Sequence, residues 1–331
     1  METGERDQMP SERYTEFLKQ HGWLDKPLSF LAGDCSNRKY YRLGSEITGF
    51  ILLMDAPPPD EKLEDFVKMS SVLSDLGLSV PEIIACDLEK GLALIEDFGD
   101  ETYTKCFFEG GSRHDLYELA THTLIDLHKK FKKDHAPDLP TYTFDRYMKE
   151  VNLCLEWYYP TVCKVSLSER ALKEWSEIWS NLLQPLVKSE TLVLRDFMVD
   201  NLVYLKKRKK VQQCGLLDFQ DAVLGPRAYD LVSLLEDARY DVPEEIQKKM
   251  LEVYLSAFPQ LDRASFLRDY YALGAQRSIK ILGVFSRMQV KQSQSKYLNH
   301  IPRVWKWIEQ DMRHASLKPL KKWVDTYLPK K

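Results

Sequence analysis

The sequence predicts an α+β protein in two parts, a small strand-rich segment to about residue 99 and a larger, mostly helical one after it. Three observations predict this. Short apolar runs at Leu28–Leu31, Tyr40–Leu43, Phe50–Met54, Ser79–Cys86 and Leu92–Glu96 are separated by Gly, Pro, Asp and Asn. From residue 115 onward, apolar side chains recur mainly at helical spacing. Within that helical part, Thr191–Asp221 returns to short apolar runs around a basic turn. The expected organisation is a tail and short helix over 1–22, a mainly antiparallel N-lobe over 23–99, and a helical C-lobe over 100–331.

Each element has its own signal. Residues 1–10 read as a frayed tail, and Ser11–Gly22 as a helix with Tyr14, Phe17 and Leu18 on its apolar face. Gly33-Asp34-Cys35-Ser36-Asn37 is a run of turn formers between two strands. Small residues there suit a hairpin whose N–H groups approach an anion, or equally an ordinary polar turn. Arg38, Lys39 and Arg42 beside it either meet an anionic ligand or stay solvated. Pro57-Pro58-Pro59 breaks the strand. Glu61–Leu76 follows as an amphipathic helix with Gly77 as its C′ residue. Helices are predicted over 115–133, Asp145–Tyr159, Leu172–Val187, Glu244–Phe258, Asp262–Met288 and Ile301–Met312. His122 and His128 on the first of these read as helix residues rather than metal ligands, having no partner at metal spacing.

Composition narrows the function classes. The formal charge of −3 over 331 residues gives no field for nucleic acid or anionic membrane. The six cysteines show no C-x-x-C spacing and read as reduced thiols. No apolar run approaches a membrane span, and METGERDQMP lacks an apolar signal region. A cytoplasmic protein without an obligate protein partner is expected.

The stretch TLVLRDFMVDNLVYLKKRKKVQQCGLLDFQD carries the chemistry. It reads as strand (Thr191–Leu194), polar loop (Arg195–Asn201), strand (Leu202–Leu205), basic turn (Lys206–Lys210), strand (Val211–Leu217) and acidic tip. Phosphoryl transfer to a hydroxyl needs a carboxylate to take the proton, and an amide oxygen and a second carboxylate to hold magnesium on ATP. Asp196, Asn201 and Asp218 supply that set in that order, with the oxygen ligands that magnesium prefers. The alternative is that Asp196 and Asn201 merely form a loop and Asp218 caps a turn.

Here the chain resembles a known family. R-D-F-x-x-x-N followed by L-D-F-Q-D-A-V-L-G-P-R-A-Y-D-L-V-S-L-L is similar to the aminoglycoside phosphotransferase-like kinases. With G-D-C-S-N-R-K-Y-Y-R, M-D-A-P-P-P, L-I-E-D-F-G-D and A-Q-R-S-I-K-I-L-G, it most resembles the bacterial N-acetylmuramate/N-acetylglucosamine anomeric kinases of cell-wall recycling. The likeness spans about residues 10 to 328. It implies a protein-kinase-like two-lobed fold with ATP between the lobes and phosphorylation of a sugar's anomeric hydroxyl. It further implies Asp196 as the catalytic base and Asn201 and Asp218 as magnesium ligands. ATP would meet Ser36, Asn37, Arg38 and Arg42, with the adenine on the connector Glu96-Asp97-Phe98. Arg195, Gln220, Asp221 and Arg227 are candidate acceptor contacts. Gln276 and Arg277 either face the acceptor or belong to a core helix. Asp230 either caps a helix or braces the catalytic loop from the interior.

Two departures matter. Kinases of this type carry a lysine on the third small-lobe strand, and Phe50–Asp55 has none. That leaves the phosphate-binding cation unassigned, with Arg38 or Arg42 as the candidates. Leu194 stands where many have a supporting histidine. Other acceptors (an aminoglycoside, a choline-like alcohol, homoserine) stay open, as does a nucleotide-binding regulator without chemistry.

Overall fold

The computed structural model describes residues 12–33, 37–47, 49–136, 138–163, 166–292 and 295–330. The chain starts with helix α1 (Glu12–Gln20), strands β1 (Leu28–Gly33), β2 (Lys39–Ser45) and β3 (Gly49–Asp55), and helix α2 (Leu63–Asp75). Strands β4 (Ile83–Asp87) and β5 (Leu92–Glu96) and helices α3 (Tyr103–Phe108), α4 (Arg113–Lys130), α5 (Phe144–Leu153), α6 (Tyr159–Val162) and α7 (Glu169–Leu183) follow. Short strands β6 (Thr191–Val193), β7 (Leu202–Tyr204), β8 (Cys214–Leu216) and β9 (Val223–Gly225) precede helices α8 (Ala228–Leu235) and α9 (Glu244–Ala257). Helices α10 (Arg263–Gln292), α11 (Ile301–Asp311) and α12 (Lys318–Tyr327) complete the chain. The chain forms two compact units, residues 1–111 with 200–221, and residues 112–199 with 222–331.

The first unit is built on an antiparallel sheet of order β1-β2-β3-β5-β4. Alternation along the strands sends Leu43, Ile51, Leu53, Leu92 and Leu94 to one core, which Tyr14, Phe17 and Leu18 of α1 cover. Asp55, near-buried at the end of β3, accepts from the Tyr14 hydroxyl at 2.7 Å and from Arg13, which fastens α1 to the sheet. Helix α2 ends as the sequence predicts. Gly77 takes φ 78°, and the Leu78 amide donates back to Leu73 O at 3.1 Å. The hairpin β7–β8 belongs to this unit, tied to it by Leu216 N donating to Ser79 O and Tyr204 N to Glu101 O, both at 2.8 Å.

The second unit is helical around the β6–β9 pair. Ser112, Thr143 and Ser168 cap α4, α5 and α7, each side chain accepting a backbone N–H three residues on. The predicted helix Asp145–Tyr159 begins at Phe144 and is α-helical only to Leu153; Cys154–Tyr158 widens into a π turn. Helix α10 packs closely against this turn. A Cβ at Gly283 of α10 would sit 2.3 Å from Leu153 C and 2.6 Å from Cys154 N, so the two backbones all but touch there. His128 is buried, its Nδ1 2.6 Å from the Tyr254 hydroxyl; burial, with Arg227 nearby, pushes its pKa down to about 3. It is a neutral core histidine, as its lack of metal-spaced partners implied.

Other boundaries differ from expectation. Val211–Leu217 is not one strand, since Lys210–Gln213 is a 3-10 turn and only Cys214–Leu216 pairs. The helix expected from Asp230 starts at Ala228, which places Asp230 in its first turn. No described helix is long and apolar enough to cross a membrane, and the described cysteines are free.

Candidate active site

The first unit holds the predicted metal ligands together. Leu217 N donates to Asn201 O at 3.0 Å, and Leu202 pairs with Leu216, so the hairpin sets Asn201 beside the strand that leads into Asp218. Asp218 has φ 58°, a left-handed conformation uncommon for a side-chain-bearing residue. Phe219 behind it is buried and stacks on Phe66 of α2 at 5.1 Å, which seats the turn on the helix. The Asp218 Oδ1 accepts from Arg38 Nη2 at 3.0 Å and from Gln220 Nε2 at 2.7 Å. Arg38 is 8 % exposed and also meets Glu61 at 3.2 Å. Burial opposes its charge, but Tyr40, Asp218 and Glu61 more than offset that and hold its pKa above the ordinary value. Arg38, Glu61, Phe66, Gln220 and Asp221 line a cavity of about 290 Å³. Asn37 borders it, its amide N–H donating to Glu61 and its side chain to Asp60.

Arg42 has a different setting. Its guanidinium grips Asp97 at 2.5 Å and Asp100 at 2.8 Å. The Asp97 carboxylate also accepts from Gly99 N at 2.8 Å, so Arg42 and Asp97 together fix the turn that follows β5. Glu96 pairs with Arg208 at 2.5 Å, and the Arg208 guanidinium lies 5.0 Å over the Phe98 ring. Of the two arginines nominated to replace the absent lysine, Arg38 is the one beside the predicted magnesium ligand.

Asp196 belongs to the second unit. Its loop follows β6 and turns sharply, Asp196 N donating to Leu194 O and Met198 N to Asp196 O. Arg195, immediately before it, takes φ 71°. Asp230 holds that conformation from the interior. Its fully buried carboxylate accepts from Leu194 N at 2.7 Å and Arg195 N at 2.9 Å, and Ser233 Oγ donates to Arg195 O at 3.3 Å. Burial pushes the Asp230 carboxyl up to about 7, against the pull of the two amides and Arg277. This is the bracing role rather than a helix cap. Leu194 itself is 3 % exposed and packs as core.

Around Arg195 lies a polar network that sequence reasoning largely missed. Glu150 of α5 accepts from the Tyr142 hydroxyl at 2.5 Å and from Gln276 Nε2 at 2.9 Å. Its other oxygen meets Lys280 at 3.2 Å, Arg195 at 3.7 Å and Arg146 at 3.9 Å. Burial raises the Glu150 pKa, but Lys280, Tyr142, Gln276 and Arg195 outweigh it and hold the carboxyl below its usual range. Arg277, 6 % exposed, leaves its Nε without a hydrogen-bond partner, and its charge acts on Tyr229 and Asp196. A signal for part of this exists in the four-residue spacings Arg146/Glu150 and Gln276/Lys280, which put each pair on one helix face. Nothing in the sequence joins the two faces.

The remaining nominees fall as follows. Ser36 lies outside the described residues. Asp221 is exposed on the cavity that holds Arg38. The Arg227 backbone N–H donates to Glu190, and its guanidinium stacks 5.1 Å over Phe258. Among the described residues one group has metal-type ligands in reach of each other, His114, Asp115 and Glu118 on the first turns of α4, but Lys249 Nζ already sits 2.6 Å from His114 Nε2.

The phosphotransferase enzyme family model matches residues 27–267. The chain belongs to that family. The N-acetylmuramate/N-acetylglucosamine kinase of Caulobacter vibrioides is 33 % identical to this phosphotransferase over 346 aligned positions, covering 95 % of each chain. The kinase of the same name from Pseudomonas aeruginosa is 32 % identical, over 89 % of this chain and 87 % of its own. Among solved structures, ADP-bound aminoglycoside phosphotransferase APH(2'')-Ib superposes with a TM-score of 0.59 at 15 % identity, covering 91 % of this chain and 98 % of that one. Choline kinase LicA from Streptococcus pneumoniae gives 0.60 at 14 % identity, covering 91 % and 100 %. The phosphotransferase therefore has the kinase-like α+β fold that its motifs imply.

Proposed function

We propose that this phosphotransferase is an ATP-dependent sugar kinase. It transfers the γ-phosphoryl group to the anomeric hydroxyl of N-acetylmuramate, N-acetylglucosamine or both, in cytoplasmic peptidoglycan recycling. The observation that carries this reading is the near-full-length similarity to kinases that bear that name.

The residues take roles that their settings support. Asp196 accepts the proton of the acceptor hydroxyl, on a loop whose backbone Asp230 holds still. Asn201 and Asp218 offer the hard oxygen donors that suit magnesium, which when bound would neutralise charge on the phosphates. Arg38 would supply to the ATP phosphates the cation that β3 lacks; in the fold it pairs with Asp218 and Glu61. Glu96, Asp97 and Phe98 form the connector for adenine, with Arg42 as the brace behind Asp97.

The test incubates the protein with ATP, magnesium and each N-acetyl sugar. A sugar 1-phosphate is expected, and Asp196→Ala should keep the fold but slow turnover by about 10³-fold. Asp196 would lose its role if that variant still released ADP at the wild-type rate. The acceptor assignment would fall if neither sugar reacted while an aminoglycoside, choline or homoserine did. ATP binding without ADP release on any acceptor would leave a regulator instead of an enzyme.

A further inference from the structure

The network around Glu150 holds more positive charge than its own carboxylate answers. Lys280, Arg195 and Arg146 all approach the same oxygen, Oε1, at 3.2, 3.7 and 3.9 Å. The second oxygen is saturated by Tyr142 and Gln276. Arg195 also feels Asp196. Lys280 and Arg146, however, meet no other carboxylate within 4 Å among the described residues. Glu150 thus serves three cations beside the loop that carries Asp196, and of the three Arg195 also interacts with Asp196. All four side chains are partly withdrawn from water, with 11 % exposure for Glu150, 14 % for Arg195, 15 % for Lys280 and 33 % for Arg146. Surplus charge in such a setting is costly unless an anion joins it. Also on α10, Gln276 Oε1 and Arg277 Nε are buried without hydrogen-bond partners, so hydrogen-bonding capacity is left over as well.

We propose that Lys280 and Arg146, with Arg195, form a subsite for a carboxylate on the acceptor, and that this subsite makes the enzyme favour an acidic N-acetyl sugar over its neutral counterpart. The inference rests on the sugar-kinase reading. N-acetylmuramate is N-acetylglucosamine with a lactyl ether that ends in a carboxylate, so the two acceptors differ in the very group the surplus charge would take. Glu150 then acts as a positioning residue that gathers the three cations.

The experiment compares kcat/KM for the two sugars in wild type, Lys280→Gln, Arg146→Gln and Lys280→Arg. Loss of one charge-assisted contact should lower the N-acetylmuramate to N-acetylglucosamine ratio by about tenfold in Lys280→Gln. Arg146→Gln should lower it less, and Lys280→Arg should restore most of it. A ratio that stays put in both glutamine variants overturns the subsite, even if both sugars slow equally. Wild type alone gives a second reading should the variants fold poorly. Raising salt from 0.05 to 0.5 M, concentrations chosen to span the screening range, should raise KM for N-acetylmuramate more than for N-acetylglucosamine; equal change counts against the proposal. If wild type phosphorylates neither sugar, the kinase reading itself has failed, which is a distinct result.

Discussion

The Asp196 loop and the Asp218 turn solve one problem in two ways. Each contains a side-chain-bearing residue in the left-handed region, Arg195 at φ 71° and Asp218 at φ 58°. At the first, a buried carboxylate grips the backbone itself through two amides. At the second, the grip falls on the side chain, through an ion pair with Arg38 and an amide from Gln220. A base must stay where it is whether or not substrate is present, and backbone pinning does that. A metal ligand must surrender its partner when the cation arrives, and an ion pair can be exchanged. On the roles proposed above, Asp196 would be held for permanence and Asp218 for exchange.

That contrast can be broken most severely at Asp230. Asp230→Ala leaves two buried amides without an acceptor, at a cost of about 3 kcal/mol. The melting temperature should drop by roughly 4 °C, and kcat should fall with it because Arg195 is no longer held. Unchanged melting would mean the loop needs no brace. The raised pKa gives a pH signature. Asp230 sits at about 7 in the fold, above its ordinary 3.8. Its contribution is therefore fully present below about pH 4 and is lost as pH rises through about 7. The stability advantage of wild type over Asp230→Asn, measured by melting, should shrink between pH 5 and pH 8.

A smaller effect is expected at Arg38. Arg38→Gln should raise KM for ATP about tenfold while leaving the melting temperature nearly alone, with Arg38→Lys intermediate. An unaltered KM would return the phosphate-binding cation to another residue. The smallest effect belongs to Arg42→Gln. It strips the near-buried Asp97 of its partner and should cost about 1 kcal/mol of stability, with less change in KM for ATP than Arg38→Gln causes. The reverse order for the two arginines would undo the distinction between ligand cation and brace.

What the sequence disclosed follows the reach of its signals. Asp196, Asn201 and Asp218 lie within a single stretch, so their spacing alone suggests their chemistry. Asp230 was legible as either cap or brace, and only its burial and the amides of Leu194 and Arg195 decide between them. The choice between Arg38 and Arg42 was closed to the sequence, because it turns on contacts to Asp218 and Asp97 far along the chain. Glu150 was invisible for the same reason, since Gln276 and Lys280 stand on a helix more than a hundred residues later. Strand β9 was missed because three residues carry no periodicity. The strand expected over Val211–Leu217 runs into a 3-10 turn at Lys210–Gln213, because the apolar residues that signal a strand, Cys214 to Leu217, lie only at its end.

The absent methyl at Gly283 has reach beyond its own contact. It lets α10 press against the widened turn after α5 at backbone distance, and that closeness fixes which rung of one helix faces which rung of the other. Alanine there must wedge the pair apart and draw Gln276 and Lys280 away from Glu150. On the proposed subsite, such a variant should therefore lose part of its preference for an acidic acceptor.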